Sequence, residues 1–74
     1  MKHYLKIELN YLENLLSGKK KAEIRFNDRD YQVGDTLLFP TDYAGKYHEF
    51  EITHIHSGLG LQEGYVVLSI IKSV

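Results

Sequence analysis

The chain has no cysteine and no tryptophan, and its 74 residues include a single proline. The absence of cysteine excludes a disulfide framework, a thiolate metal site and a cysteine nucleophile. No apolar run approaches the roughly 20 residues that a membrane-spanning helix needs, and no signal-type apolar segment follows Met1. We therefore expect a cytoplasmic protein that makes no use of a membrane.

Neither sign of charge dominates, because the 9 Lys and Arg residues face 10 Asp and Glu residues. The resulting pI of about 6.4 is not that of a strongly basic domain that binds polyanions over its whole surface. A hydrophobic fraction of 43% with 26% charged residues is typical of a folded globular chain. The length predicts one small domain, residues 1–74, with a limited core.

The hydrophobic periodicity predicts five strands and one short helix. The first strand is expected over 3–9, and the helix begins at Asn10, which has the spacing of a capping box with Glu13. Ser17 and Gly18 end the helix. The other predicted strands are 20–26, 36–41, 47–57 and 65–72. Pro40 closes the strand at 36–41 and indicates either a strand end or an edge strand. The alternation within 47–57 slips near Thr53, which indicates a bulge.

These elements predict an α+β fold in which a small five-stranded curved β-barrel carries one short helix after the first strand. A curved, partly closed sheet is favoured because one short helix could not cover the exposed edges of an open one.

Basic residues are concentrated between the helix and the first long turn. Five of the nine fall in this segment: Lys19, Lys20, Lys21, Arg25 and Arg29. A local excess of cations with donor-rich neighbours is what a site for phosphate, carboxylate or a nucleotide requires.

Alternation along the strand at 20–26 places Lys21, Glu23 and Arg25 on one side, with Lys20 at the rim. The opposite side is apolar and is expected to be buried: Ala22, Ile24 and Phe26. Arg25 would offer a planar fork to phosphate or a base edge, and Glu23 would orient it. The alternative is a solvent-exposed strand surface with an ion pair worth at most about 1 kcal/mol, and the residue pattern alone favours that alternative.

The segment that follows, 27–30, has the composition of a tight turn. Arg29 would extend the basic surface, and Asn27 would hydrogen-bond a base. The alternative is that Asn and Asp side chains bond to the backbone of the turn itself, which is the favoured interpretation for Asp28 and Asp30.

Aromatic side chains could stack on bases or fill the core of a small barrel. Tyr31, next to the basic turn, and Tyr65, after the glycine-rich loop, are the candidates for stacking. Tyr4, Tyr11 and Phe39 are expected to be structural.

His54 and His56 form a His-x-His pair of the kind that ligates zinc. A third ligand at useful spacing is missing from the sequence, so no metal site is predicted, and His54 is expected to continue the buried side that carries Phe50 and Ile52. The glycine-rich loop 58–64 lacks the strand-to-helix context of a phosphate loop, and no cofactor is predicted.

Gly18, Lys20, Glu23 and Arg25 together form a G-x-K-x-x-E-x-R pattern. The helix end at 15–20, the segment 27–31, the turn Val33-Gly34-Asp35 and the closing segment 64–68 accompany it. In this order the chain resembles, over nearly its whole length, the ASCH domain of the PUA-like superfamily. It is similar to a short bacterial and phage branch labelled as a domain of unknown function.

The resemblance implies a PUA-like β-barrel with a cleft beside the helix, lined by Lys20, Glu23 and Arg25, that binds RNA or a modified nucleotide. With it, the binding interpretation becomes the favoured one.

Some ASCH-like proteins are amidohydrolases that act on 4-acetylcytidine with a Lys, a Thr and a later Glu. Lys20 matches the first position, but Glu23 stands in place of the Thr, and Glu63 is a weak counterpart of the later acid. An amidohydrolase that uses Lys20 and Glu23, and a protein-interaction module that uses a strand edge near Pro40, are the alternative functions.

Overall fold

The computed structural model describes residues 1–73. Its elements are β1 (Lys2–Tyr4), α1 (Leu9–Leu16), β2 (Ala22–Phe26), β3 (Thr36–Pro40), β4 (Tyr47–Ser57) and β5 (Tyr65–Lys72). The strands form one sheet in the order β1-β3-β4-β5-β2. The β1–β3 pair is parallel and the other pairs are antiparallel. The sheet curls into a half-barrel with one short helix, which confirms the predicted fold class.

The core lies between the concave side of the sheet and α1. Leu12 and Leu15 of α1, three residues apart and therefore on the same side of the helix, pack against the buried strand residues. The most deeply buried of these are Leu37, Phe39, Phe50, Ile52 and Leu68. Within residues 1–73, no helix is long and apolar enough to cross a membrane.

The first strand and the start of the helix differ from the prediction. β1 ends at Tyr4, and α1 begins at Leu9 with Glu8 as its N-cap residue and no side-chain capping bond. Asn10 lies inside the helix, so the predicted capping box is wrong. Packing of the apolar side of the helix against the sheet, rather than a local cap, fixes where this short helix begins.

The helix ends where predicted. Ser17 is the C-cap residue, and Gly18 follows with φ of 81°, a left-handed conformation that costs glycine little.

The predicted bulge in β4 is confirmed by a shift in its register with β5 between Ile52 and His54. Beyond the shift, Ile55 lies opposite the buried Leu68, and His54 is exposed. The expected burial of His54 is therefore wrong, because the extra residue of a bulge reverses which side chains face the core.

Pro40 is the last residue of β3, as predicted. β3 lies between β1 and β4, but within residues 1–73 β1 pairs with it only from Thr36 to Leu38, so Pro40 has a strand partner on the β4 side alone. The outer strands of the sheet are β1 and β2.

Candidate functional site

The side chains of β2 face the opposite way from the prediction. Glu23 is only 5% exposed, whereas Ile24 is 62% exposed and Phe26 also lies at the surface. The apolar residues were expected inside because alternation along the strand separates an apolar side from a charged one. That expectation fails here because two cations meet the carboxylate of Glu23 on the inner side of the strand.

Lys20 and Arg25 each contact a different oxygen of Glu23. Lys20 Nζ lies 3.0 Å from Oε1, and Arg25 Nη2 lies 3.0 Å from Oε2. Arg25 Nε also donates to Oε2, at 3.1 Å. The side chains of both cations are only partly exposed. This ion group therefore differs from the exposed pair that the sequence alone favoured.

The end of α1 positions Lys20. Its backbone N–H donates to the Asn14 carbonyl at 2.9 Å, which attaches the residue to the last turn of the helix. Its ammonium also donates to the Ala22 carbonyl and lies 5.8 Å from the centre of the Tyr11 ring. Lys20 is therefore held between the helix and β2, with its charge directed at Glu23.

Arg25 bridges the gap between the two ends of the half-barrel. Its Nη2 donates to the Lys6 carbonyl at 2.9 Å, and Lys6 follows β1 at the other end of the sheet. The guanidinium carbon lies 5.9 Å from the centre of the Phe39 ring. We call the gap between β2 and the segment 4–8 the seam; Arg25 crosses it.

The seam opens on one side of Arg25 into a cleft of about 530 Å³, which we call the helix cleft. Its volume lies within the roughly 300–1,000 Å³ of small-molecule sites. The lining residues come from the segment after β1, from α1 and from β2: Lys6, Ile7, Glu8, Tyr11, Lys20, Glu23, Ile24, Arg25 and Phe26.

A second opening of about 410 Å³ lies along the same seam, and we call it the turn cleft. Its lining residues are Tyr4, Leu5, Lys6, Arg25, Phe26, Asp28, Arg29 and Tyr31. It shares Lys6, Arg25 and Phe26 with the helix cleft.

The turn 27–31 has both structural and surface roles. Asn27 accepts a hydrogen bond from the Tyr31 backbone N–H through Oδ1 at 3.0 Å, which is the turn-stabilising alternative considered for such residues. Arg29 is exposed and lines the turn cleft. Tyr31 is only 4% exposed, so its ring offers no open face on which a base could stack, and the predicted stacking role does not fit this position.

Tyr31 belongs instead to a buried polar group beneath the turn. Its ring packs edge-on against the His3 ring with a centroid separation of 4.8 Å. Burial raises the pKa of the Tyr31 hydroxyl, against the opposing charges of Arg25 and Arg29. His3 Nε2 donates to Asp35 Oδ2 at 2.8 Å, and this bond is the largest cause that lowers the pKa of Asp35 to about 2.

Tyr65 lies apart from the ion group. Its ring packs edge-on against Phe26, 5.4 Å between centroids, and it lines a separate groove with Asn27 and the loop before β5. The structure therefore brings together Lys20, Glu23 and Arg25, places Arg29 in the adjoining turn cleft, and leaves Tyr65 outside both clefts.

Sequence reasoning missed Tyr11 and Lys6 as cleft residues. Tyr11 is expected from the sequence to be structural, yet it is 47% exposed and lines the helix cleft. The sequence did place Tyr11 on the first turn of the helix that Lys20 follows. That position indicates a cleft residue only once the orientation of the helix on the sheet is known. Lys6 lines both clefts, and the shortness of β1 hid this role.

Comparison with known proteins places the chain in a family. The family described as "Domain of unknown function (DUF3850)" matches residues 2–70. The chain is 36% identical over 70 residues to the "Uncharacterized 12.9 kDa protein in GpA 3'region" of Escherichia phage P2. That match covers 89% of this chain and 64% of the phage protein, so the chain spans less than two thirds of that relative.

A solved structure, the crystal structure of hypothetical protein PH0355, is similar in fold. The TM-score is 0.72 with 19% sequence identity, over 99% of this chain and 100% of the other. The likeness extends over the whole half-barrel. Since the family profile covers β1 to β5 almost completely, the chain belongs to the DUF3850 family.

Proposed function

We propose that this protein is an ASCH-type domain that binds RNA or a modified nucleotide in the helix cleft. The observation that carries the proposal is the position of Glu23, a buried carboxylate held by Lys20 and Arg25 at 3.0 Å on each side. Burying ions is costly unless each is paired. Here the buried carboxylate of Glu23 fixes the direction of the Lys20 and Arg25 side chains beside an open cleft. Recognition of a ligand requires cations held in this way.

The remaining donors of the two cations support an anionic or base ligand. Within residues 1–73, the hydrogen bonds and ion pairs of Arg25 use Nε and Nη2, which leaves the two N–H groups of Nη1 for a ligand. Such a planar group matches phosphate oxygens or the acceptors of a base edge. The Tyr11 ring beside Lys20 offers a surface for base stacking.

The proposal is tested by fluorescence anisotropy with a labelled single-stranded RNA oligonucleotide. Lys20→Gln is expected to weaken binding tenfold or more, because a hydrogen bond to a charged group is worth about 1.5–3 kcal/mol. Lys19→Gln is the matched control, since Lys19 is exposed and lies outside the clefts described above. Urea unfolding of both variants confirms that the comparison is made between folded proteins.

Binding through phosphate contacts must also weaken with salt, by a slope of about −0.7 in log K against log salt for each contact with a single strand. Affinity that is independent of salt, or equal losses in the Lys20 and Lys19 variants, would remove phosphate recognition in the helix cleft from consideration.

A second candidate function rests on the same pair. Lys20 Nζ and Glu23 Oε1 are 3.0 Å apart within the helix cleft, an arrangement that could activate water against the amide of 4-acetylcytidine. Both oxygens of Glu23 already accept from cations, which leaves the carboxylate little capacity to hold a water, so we rank binding first. Release of cytidine and acetate by the protein, lost in Lys20→Ala, would reverse that order.

A further inference from the structure

The helix cleft and the turn cleft are two parts of one trough along the seam. Both are lined by Lys6, Arg25 and Phe26. Apart from these shared residues, the helix cleft is lined by residues after position 6 and before position 25, and the turn cleft by residues before position 6 and after position 25. The two openings therefore lie on opposite sides of the contact between Arg25 Nη2 and the Lys6 carbonyl, 2.9 Å long.

Each cleft has its own exposed aromatic ring and its own cation. The helix cleft contains Tyr11 and Lys20, and the turn cleft contains Tyr4, which is 55% exposed, and Arg29. Phe26, also exposed, borders both. A positively charged groove with aromatic rings on which successive bases stack is the usual design of a single-strand site.

Carboxylates keep this trough from being a general polyanion surface. Glu8 and Glu23 line the helix cleft, and Asp28 lines the turn cleft. Four cations thus face three carboxylates along the seam, so charge alone supplies little affinity. Recognition must depend on stacking and on hydrogen bonds at defined positions.

Arg25 occupies the junction at which a linking phosphate would lie. Glu23 and the Lys6 carbonyl fix its guanidinium through Nε and Nη2, so Nη1 is presented in one orientation. A phosphodiester that joins two nucleotides, one in each cleft, would pass this group. Paired bases of a duplex are stacked inside the helix and could not enter both clefts, whereas bases of a single strand can separate.

We propose that the seam binds two consecutive nucleotides of a single strand, with one base in each cleft and the intervening phosphate at Arg25. This inference rests on the proposed function, which requires the helix cleft alone. It adds a second base site in the turn cleft and predicts that an oligonucleotide, not a free nucleoside, is the preferred ligand.

The test compares a 5′-mononucleotide with a trinucleotide of the same base, by titration calorimetry on the full chain. The trinucleotide is expected to bind at least tenfold more tightly. Tyr4→Leu is expected to weaken trinucleotide binding fivefold or more and to change mononucleotide binding less than twofold, because it removes the stacking ring of the turn cleft. Tyr43→Leu is the matched control, an exposed tyrosine of the β3–β4 loop.

Since Tyr4 also packs edge-on against Tyr47, Arg29→Gln provides a second variant that does not disturb this pair. Arg29→Gln should likewise weaken binding of the trinucleotide and leave binding of the mononucleotide nearly unchanged. Equal affinity for the two ligands, or equal losses for both in the Tyr4 and Arg29 variants, would overturn the two-site inference and leave the helix cleft as a single site. Failure of both ligands to bind would overturn the two-site inference and, with it, RNA binding as the proposed function.

Discussion

Replacing Glu23 by Gln is the most informative change for the stability of this fold. The carboxylate is 5% exposed and neutralises two cations that reach into the same cleft. Glutamine preserves the shape of the side chain but removes its charge, so Lys20 and Arg25 lose their counter-ion. The change therefore measures electrostatic pairing with little alteration of packing.

The expected loss follows from how far the two cations can relax. Leaving a fully buried charge without its partner costs about 3–5 kcal/mol. Lys20 and Arg25 are partly exposed and can turn toward water in the cleft, so we expect a loss of about 1–3 kcal/mol. Typical stabilities of about 0.05–0.15 kcal/mol per residue give this 74-residue chain about 4–11 kcal/mol in total. At the middle of both ranges, the loss is roughly a quarter of the total stability.

Urea unfolding measures this effect directly. With a slope near 1 kcal/mol per molar, at the lower end for small proteins, the midpoint of Glu23→Gln should fall by about 1–3 M. Glu51→Gln, at an exposed position of β4, is the matched control and should leave the midpoint nearly unchanged. If both variants unfold at the same urea concentration, the ion group does not stabilise the fold.

Two further predictions concern the turn before β5 and the buried acid near β1. Gly64→Ala should destabilise the fold more than Gly45→Ala. Both glycines have positive φ, so the backbone cost of alanine is shared. The difference is steric, because an added Cβ at position 64 would lie 2.6 Å from Phe26 Cε1, whereas one at position 45 meets nothing within 4 Å. Urea midpoints compare the two, and equal losses would show that the Phe26 ring moves aside freely. Because the folded pKa of Asp35 is lowered to about 2 from 3.8, chiefly by its bond with His3, its contribution to stability should be complete above about pH 5 and be lost as the pH falls toward 2. Asp35→Asn should flatten this part of the pH profile of unfolding, and an unchanged profile would contradict the assignment.

The sequence predicted the parts of the fold that local patterns determine. β4 and β5 occupy the expected ranges Tyr47–Ser57 and Tyr65–Lys72, and the glycine that ends the helix lies where the turn needs positive φ. In β5, and in β4 as far as Ile52, apolar alternation and burial agree, and turn residues bound both strands, so no distant contact was needed to identify them.

The sequence predicted which residues form the candidate site but not which way their side chains face. The residue pattern identified Lys20, Glu23 and Arg25, but it assigned the apolar residues of β2 to the core and the charges to solvent. The true orientation depends on two features that alternation does not encode: the outer position of β2 in the sheet, and the bond from Arg25 to Lys6, 19 residues away in sequence. Such contacts between residues distant in sequence can determine which side of a strand faces the core, when alternation alone allows either side.

An amide NMR titration of the labelled chain with a single-stranded oligonucleotide decides whether the seam beside α1 binds RNA or a nucleotide. We expect shifts concentrated at residues 4–8, at Tyr11 and at 18–29, with the β3–β4 hairpin loop at 42–46 unaffected. Shifts confined to residues outside the seam, or no shifts at millimolar oligonucleotide, would contradict it.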